Sequence, residues 1–184
     1  MTTRSIAAGA LAIPAVPGAE SDPKSAAGLA ERAKNAGLTI SVAESLTAGN
    51  LAATLGAAPD SADRFSGGVV AYSATVKQRV LDIPDVPVVS ATAAQTMAAN
   101  VRALMDTDLA VATTGVGGPG PQDGEPPGSV WFAVATRHRV QAEHRHFGGD
   151  PQRVLEQTVR HAIGLLLAAT RRFDYSVSPN PWDR

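Results

Sequence analysis

A chain of 184 residues that is 44% hydrophobic and 18% charged has the composition of one globular domain, long enough to bury a sizeable core and short for two. Its formal net charge of -1 supplies no electrostatic pull toward nucleic acid or a membrane surface. The lack of cysteine excludes disulfides, thiolate catalysis and cysteine-held metal centres, and no apolar run reaches the roughly 20 residues of a membrane-spanning helix.

The first 22 residues place Arg4 before an apolar stretch over 6–16, an echo of a secretory signal. Gly9 and Pro14 interrupt it and one basic residue makes a thin start, so the segment reads as a tail. A domain is expected over 23–173, with a second tail over 174–184. Asp22 and Pro23 make a helix start, Ala26, Leu29, Ala30 and Ala33 follow at helical spacing, and Gly37 supplies the stop. "LTISVA", 38–43, is short, β-branched and apolar, the pattern of a strand buried on both faces. "ESLTAGNLAATLGAA" turns at once to helical spacing, which puts Glu44 and Ser45 at a strand-to-helix junction. "GGVVAYS", 67–73, predicts a second buried strand, and Ser73 suits the cap of a helix carrying Val76, Lys77, Val80 and Leu81.

Ser90 caps a longer helix whose stripe is Ala94, Met97, Ala98, Val101 and Leu104. "LAVATTG", 109–115, predicts a third buried strand. "SVWFAVA" and "VQAEHRHF" form a strand pair around a turn at 137–139, and a last helix over 154–167 turns Leu155, Val159, Ala162, Ile163 and Leu166 inward. The order α-β-α-β-α-β-β-β-α predicts an α/β fold, a three-layer α/β/α arrangement around a mixed sheet.

After the third strand, "TTGVGGPGPQDGEPPG" holds Gly115, Gly117 and Gly120 in the spacing of a dinucleotide-binding loop. Such a loop works by opening a helix whose N-terminus holds a pyrophosphate. Pro119, Pro121, Pro126 and Pro127 block that helix, the next element reads as a strand, and no lysine follows the glycines as a phosphate loop would need. What is left is a long turn or a stiff loop whose backbone N–H groups line a small-molecule pocket.

Three strands end in polar residues that a buried strand does not need: Glu44, Ser45 and Thr47, then Tyr72 and Ser73, then Thr113 and Thr114. Ligands of open α/β sheets bind beyond the strands' carboxyl ends, so these clusters are expected to face one pocket. A serine needs a base to take its proton, and with no cysteine and no clear histidine partner the base is a desolvated lysine, Lys77. Helix N-terminal N–H groups near Ser45 would hold an oxyanion, the equipment of acyl transfer. Each residue alone has a plainer reading: Ser45 an N-cap, Lys77 a solvated helix lysine, Tyr72 a strand-end aromatic, Thr114 a strand residue, Glu44 a cap or an orienter of the lysine. His144 and His146 share a strand face but lack a third ligand apart from His138 in the turn, so no metal is expected.

"VAESLTAGNLAATL", "GGVVAYSATVKQRVL" and "TTGVGGPGPQDGEPPGSVWFAVA", in that order, resemble the CinA C-terminal family, over roughly residues 29–167. The family includes nicotinamide mononucleotide deamidases of pyridine nucleotide salvage. The tail before Asp22 is too short for the larger N-terminal domain of full-length CinA proteins, so the resemblance is to the stand-alone form. It implies amide hydrolysis with Ser45 as nucleophile, Tyr72 and Lys77 as its activating partners and Thr114 positioning substrate or oxyanion. Glu44, Thr47, Gly115, Gly117, Gly118 and Arg153 would contact a pyridine nucleotide. It further implies no cofactor, a homodimer, a cytoplasmic location, and no nucleic-acid or membrane partner. Pro151 and Leu155 stand where the family usually carries arginines, with Arg153 between them; a binding homologue without turnover is the competing expectation.

Overall fold

The computed structural model describes residues 26–173; the expected helix start at Asp22 and Pro23 and both expected tails lie outside the described residues. The elements run α1 (Ala26–Ala36), β1 (Ile40–Glu44), α2 (Asn50–Gly56), a 3-10 turn (Ser61–Asp63), β2 (Phe65–Val70), α3 (Ala74–Leu81), α4 (Ala91–Leu104), β3 (Leu109–Gly115), β4 (Ser129–Thr136), β5 (Val140–His146) and α5 (Pro151–Phe173). The sheet order is β2-β1-β3-β4-β5. β1 runs parallel to both β2 and β3, while β3, β4 and β5 are successively antiparallel, the mixed sheet that the element order predicts.

The pleat sorts side chains by size. Ile40, Val42, Leu109, Val111, Val130 and Phe132 face α1, α2 and α5, where Leu29, Leu51, Leu55 and Leu166 complete a core of large residues. Ala43, Ala110, Ala112, Ala133 and Ala135 face the other way onto Ala93, Ala94, Met97 and Ala98 of α4. Small residues on both sides of that contact let α4 lie close to the sheet. Helices on both faces make the three layers.

Several expected boundaries move. β2 starts at Phe65, ends at Val70 and alternates between half-buried and exposed instead of being buried throughout, because it is an edge strand with one neighbour. Both helices expected between β2 and β3, after Ser73 and after Ser90, are present, one more than the summary order α-β-α-β-α-β-β-β-α counts. Leu104 leaves the stripe of α4 and is 60% exposed, since the helix ends there. α5 begins at Pro151, where a missing N–H costs nothing. Its inward stripe is Val154, Thr158, Ala162, Ile163 and Leu166, with Leu155 and Val159 only half-buried. The caps at Ser73 and Ser90 form as expected, each hydroxyl accepting the N–H three residues on, Val76 at 3.3 Å and Ala93 at 3.2 Å.

Candidate active site

The register gathers the three polar strand ends. Glu44 lies opposite Val70 on β2 and Thr113 on β3, and Gly115 opposite Val130 on β4, so Ser45, Tyr72, Thr114 and the start of the glycine-proline loop share one edge of the molecule. Gly115 has no side chain because β4 occupies the space. A Cβ there would stand 2.5 Å from the Ser129 carbonyl oxygen and 2.8 Å from Val130 Cα, so the close approach of β4 requires glycine at this position.

Helix α2 begins later than its sequence pattern suggests. Its N-cap is Gly49, at φ 96, and no side chain caps it locally. The cap comes instead from the end of β1. Glu44 Oε2 accepts the Gly49 and Leu51 N–H groups at 3.0 Å each, and Oε1 accepts that of Ala52 at 2.8 Å. With three N–H groups accepted and the residue fully buried, Glu44 holds the helix, the capping role that was one of its expected readings. Thr47 is likewise engaged, its hydroxyl 3.0 Å from that of Thr113 and its carbonyl accepting Asn50. Asn50 thereby helps to close the turn.

Ser45 is different. Its N–H donates to the Thr113 carbonyl at 3.0 Å, so the ladder and its alternation run on to this residue. Glu44 follows Ile40 and Val42 onto the α2 face; Ser45 follows Ala43 onto the face covered by α3 and α4. It is 7% exposed, and among the described residues its hydroxyl has no hydrogen-bond partner, so the N-cap reading falls. The Leu46 and Thr47 N–H groups also lack an acceptor among the described residues. A hydroxyl without a partner that still reaches the surface, next in the chain to two unengaged N–H groups, is left available for a ligand.

Lys77, on the face of the sheet to which Ser45 turns, is 1% exposed, not a solvated helix lysine. Its Nζ donates to the Tyr72 carbonyl at 3.1 Å. Burial pulls its pKa below the usual lysine value of 10.5, with the Asp123 carboxylate pulling the other way. Tyr72 is 71% exposed, and the atom that bonds the lysine belongs to the tyrosine's main chain. Thr114 shares the face of Ala110 and Ala112; its hydroxyl donates to the Val88 carbonyl at 2.6 Å, tying strand β3 to the connector before α4.

The loop over 116–128 closes on itself through Gln122 and Glu125, whose N–H groups and carbonyls pair at 3.1 and 2.9 Å. A Cβ on Gly118 would lie 3.3 Å from Pro127 and 3.7 Å from Pro151, so the first turn of α5, with Arg153 exposed, abuts this loop. Gly117 has open space around it. Sequence reasoning missed Asp123, the only carboxylate of the loop whose charge acts on Lys77; its place five residues past Gly118 in a turn gives no signal of that. His144 bonds the buried Ser129 hydroxyl, 2.7 Å from Nε2, and among the described residues no group of three metal-ligating side chains gathers. A cavity of about 410 Å³ between β4, β5 and the end of α5 holds none of the site residues.

Residues 22–170 match the family profile described as the CinA C-terminal domain. A competence-damage inducible protein of Geobacillus kaustophilus is 43% identical over 143 residues, covering 74% of this chain and 34% of its own length. Its counterpart in Lactiplantibacillus plantarum is 37% identical over 135 residues, 70% and 32% of the two lengths. The chain thus spans about a third of the length of these curated relatives. A CinA-superfamily protein of Klebsiella pneumoniae 700603 has the same fold at TM-score 0.74 and 35% identity, over 80% of this chain and 98% of that one. One from Escherichia coli gives 0.75 and 33%, over 80% and 92%. Among the described residues no helix is long and apolar enough to cross a membrane.

Proposed function

The chain belongs to the CinA C-terminal domain family, and from that premise we propose that it is a serine amidohydrolase that deamidates nicotinamide mononucleotide to nicotinate mononucleotide and ammonia. Lys77, whose pKa burial lowers, takes the proton of Ser45. The Ser45 oxygen attacks the carboxamide carbon, and the Leu46 and Thr47 N–H groups hold the oxyanion. The lysine returns the proton to the leaving nitrogen, ammonia departs, and water, giving its proton to the same amine, cleaves the acyl-enzyme. Gly117, Gly118 and Arg153 border the loop wall along which the nucleotide would lie. The proposal includes a cytoplasmic dimer, which light scattering tests.

The single observation that carries this reading is Ser45, a 7% exposed residue whose hydroxyl has no partner among the described residues and still reaches the surface, next in the chain to two N–H groups without acceptors among those residues. The test is ammonia release from nicotinamide mononucleotide by the wild type, Ser45→Ala and Lys77→Ala. Activity in the wild type and loss in both variants supports the mechanism, and full activity in either variant removes it. Saturable binding of the mononucleotide by calorimetry with no ammonia released selects the binding homologue instead, for which Pro151 and Leu155 speak.

A further inference from the structure

The N–H groups of Leu46 and Thr47 lie in a three-residue span whose two ends are gripped by one residue of the neighbouring strand. Ser45 donates its N–H to the Thr113 carbonyl at 3.0 Å, and the Thr47 hydroxyl lies 3.0 Å from the Thr113 hydroxyl. Both threonines are fully buried, and among the described residues each hydroxyl has the other as its partner. Thr113 is itself braced from both sides, opposite Glu44 on β1 and Phe132 on β4, in the middle strand of the five. The chain that follows the span turns sharply. Ala48 and Gly49 stand at φ 50 and 96, a left-handed conformation that alanine adopts only at a cost. The carbonyls of the span close this turn: Ser45 accepts the Ala48 N–H at 3.1 Å, and Thr47 accepts the main-chain and side-chain N–H groups of Asn50 at 2.9 and 2.7 Å. A strained turn persists where its surroundings hold it, and on the strand side the holder is Thr113.

We propose that Thr113 is a positioning residue for the serine turn: it holds Ser45 by its carbonyl and Thr47 by its hydroxyl, and so fixes the Leu46 and Thr47 N–H groups beside the Ser45 hydroxyl. The catalytic consequence rests on the amidohydrolase reading; the ordering of the turn does not. Filling the core does not require the hydroxyl pair. Two valines would take up the same space, and replacing both partners of a buried hydrogen bond by apolar groups of equal shape is nearly neutral for stability. What valines would lose is direction. A hydroxyl bond fixes the distance and angle between the two side chains, whereas an apolar contact leaves the end of the span free to shift. Donors that stabilise a developing oxyanion act by being in place beforehand, so a small displacement of this span is felt in turnover more than in substrate binding.

The double variant Thr47→Val with Thr113→Val separates positioning from packing, and Thr113→Ser restores the hydroxyl alone. In the double variant the urea midpoint should stay near that of wild type, while kcat for ammonia release falls about 10- to 100-fold and KM changes by less than about twofold. Thr113→Val alone should show the same loss of kcat, and Thr113→Ser should recover most of it. Nitrogen-15 relaxation reads the turn without any turnover: the order parameters of the Leu46 and Thr47 amides should drop from about 0.85 toward about 0.6 in the valine variants and return in Thr113→Ser. A kcat within about twofold of wild type in the valine variants overturns the proposal, as does a serine variant as slow as they are. Unchanged order parameters in the valine variants overturn it whatever the rate does. If wild type releases no ammonia but the order parameters fall as expected, the amidohydrolase reading fails and the hold of Thr113 on the turn stands.

Discussion

Replacing Glu44 by glutamine keeps the shape of the side chain and removes one acceptor. In the native arrangement one carboxylate oxygen takes two N–H groups of α2 at 3.0 Å and the other takes one at 2.8 Å. The amide oxygen can stand in for only one of them. If it keeps the Gly49 and Leu51 bonds, both turn from charge-assisted to neutral, a loss of about 1 kcal/mol each. The amide nitrogen then faces the Ala52 N–H, donor against donor, and a donor stranded in the interior costs about 1–3 kcal/mol. The expected destabilisation is about 3–5 kcal/mol, a large share of the about 5–15 kcal/mol that holds a domain folded. Urea unfolding followed by tryptophan fluorescence measures it as a lower midpoint at unchanged slope. A loss below about 1 kcal/mol would refute the capping role. If Glu44 instead served substrate, the variant would raise KM and leave the unfolding midpoint alone.

Ser45→Ala removes a hydroxyl with no partner, so its unfolding free energy should stay within about 0.5 kcal/mol of wild type while ammonia release disappears; a strongly destabilised variant would show that the hydroxyl is structural. Lys77 should also mark the pH dependence of stability. Its folded-state pKa is lowered by burial, so between that value and the 10.5 of the unfolded chain the unfolded state binds more protons, and stability rises as pH rises through this window. The cost of burying the charge is fully present below the window. Lys77→Met should flatten the rise, checked by melting temperature from neutral to alkaline pH; an identical rise in the variant assigns it to another group. Thr114→Val leaves the Val88 carbonyl without its donor, a loss of about 1–2 kcal/mol, and should lower turnover by loosening the wall; unchanged kinetics would confine Thr114 to a structural role.

Much of this was legible in the order of residues. Apolar runs gave the three inner strands, serines at 73 and 90 gave two helix starts with their bonds, and the prolines of the loop excluded a phosphate-binding helix. What stayed hidden has a common cause: it depends on neighbours distant in sequence. The run of β2 is apolar, yet it lies at an edge, and nothing in 65–70 says how many strands flank it. Lys77 carries a residue type that usually lies in water, and its burial agrees with the desolvated lysine expected from the strand-end cluster, although no pattern in α3 itself announces it. Glu44 reads as a candidate for chemistry because helical spacing seems to begin at once; the left-handed Ala48 and Gly49, at φ 50 and 96, delay the helix and turn its first N–H groups back onto the carboxylate.

The division of labour at the strand ends follows from the pleat. Glu44 and Ser45 are adjacent, as are Thr113 and Thr114, and adjacent residues of a strand point to opposite faces. The first of each pair turns toward α2: Glu44 caps it and Thr113 bonds Thr47. The second turns toward the alanine-lined face, where α3 brings Lys77 and the connector brings Val88. One side of the sheet therefore builds the turn that follows the serine, and the other is the side of Ser45 and Lys77. A slip of one residue in the register of β1 would exchange the two sets, aiming a carboxylate at the lysine and a hydroxyl at three helix N–H groups. The large and small apolar faces of the sheet are what forbid that slip: Val42 cannot take the place of Ala43 against α4, nor could alanine fill the space before Leu51 and Leu166. The packing of large and small apolar residues thus decides which of two neighbouring polar groups turns to the face covered by α3 and α4.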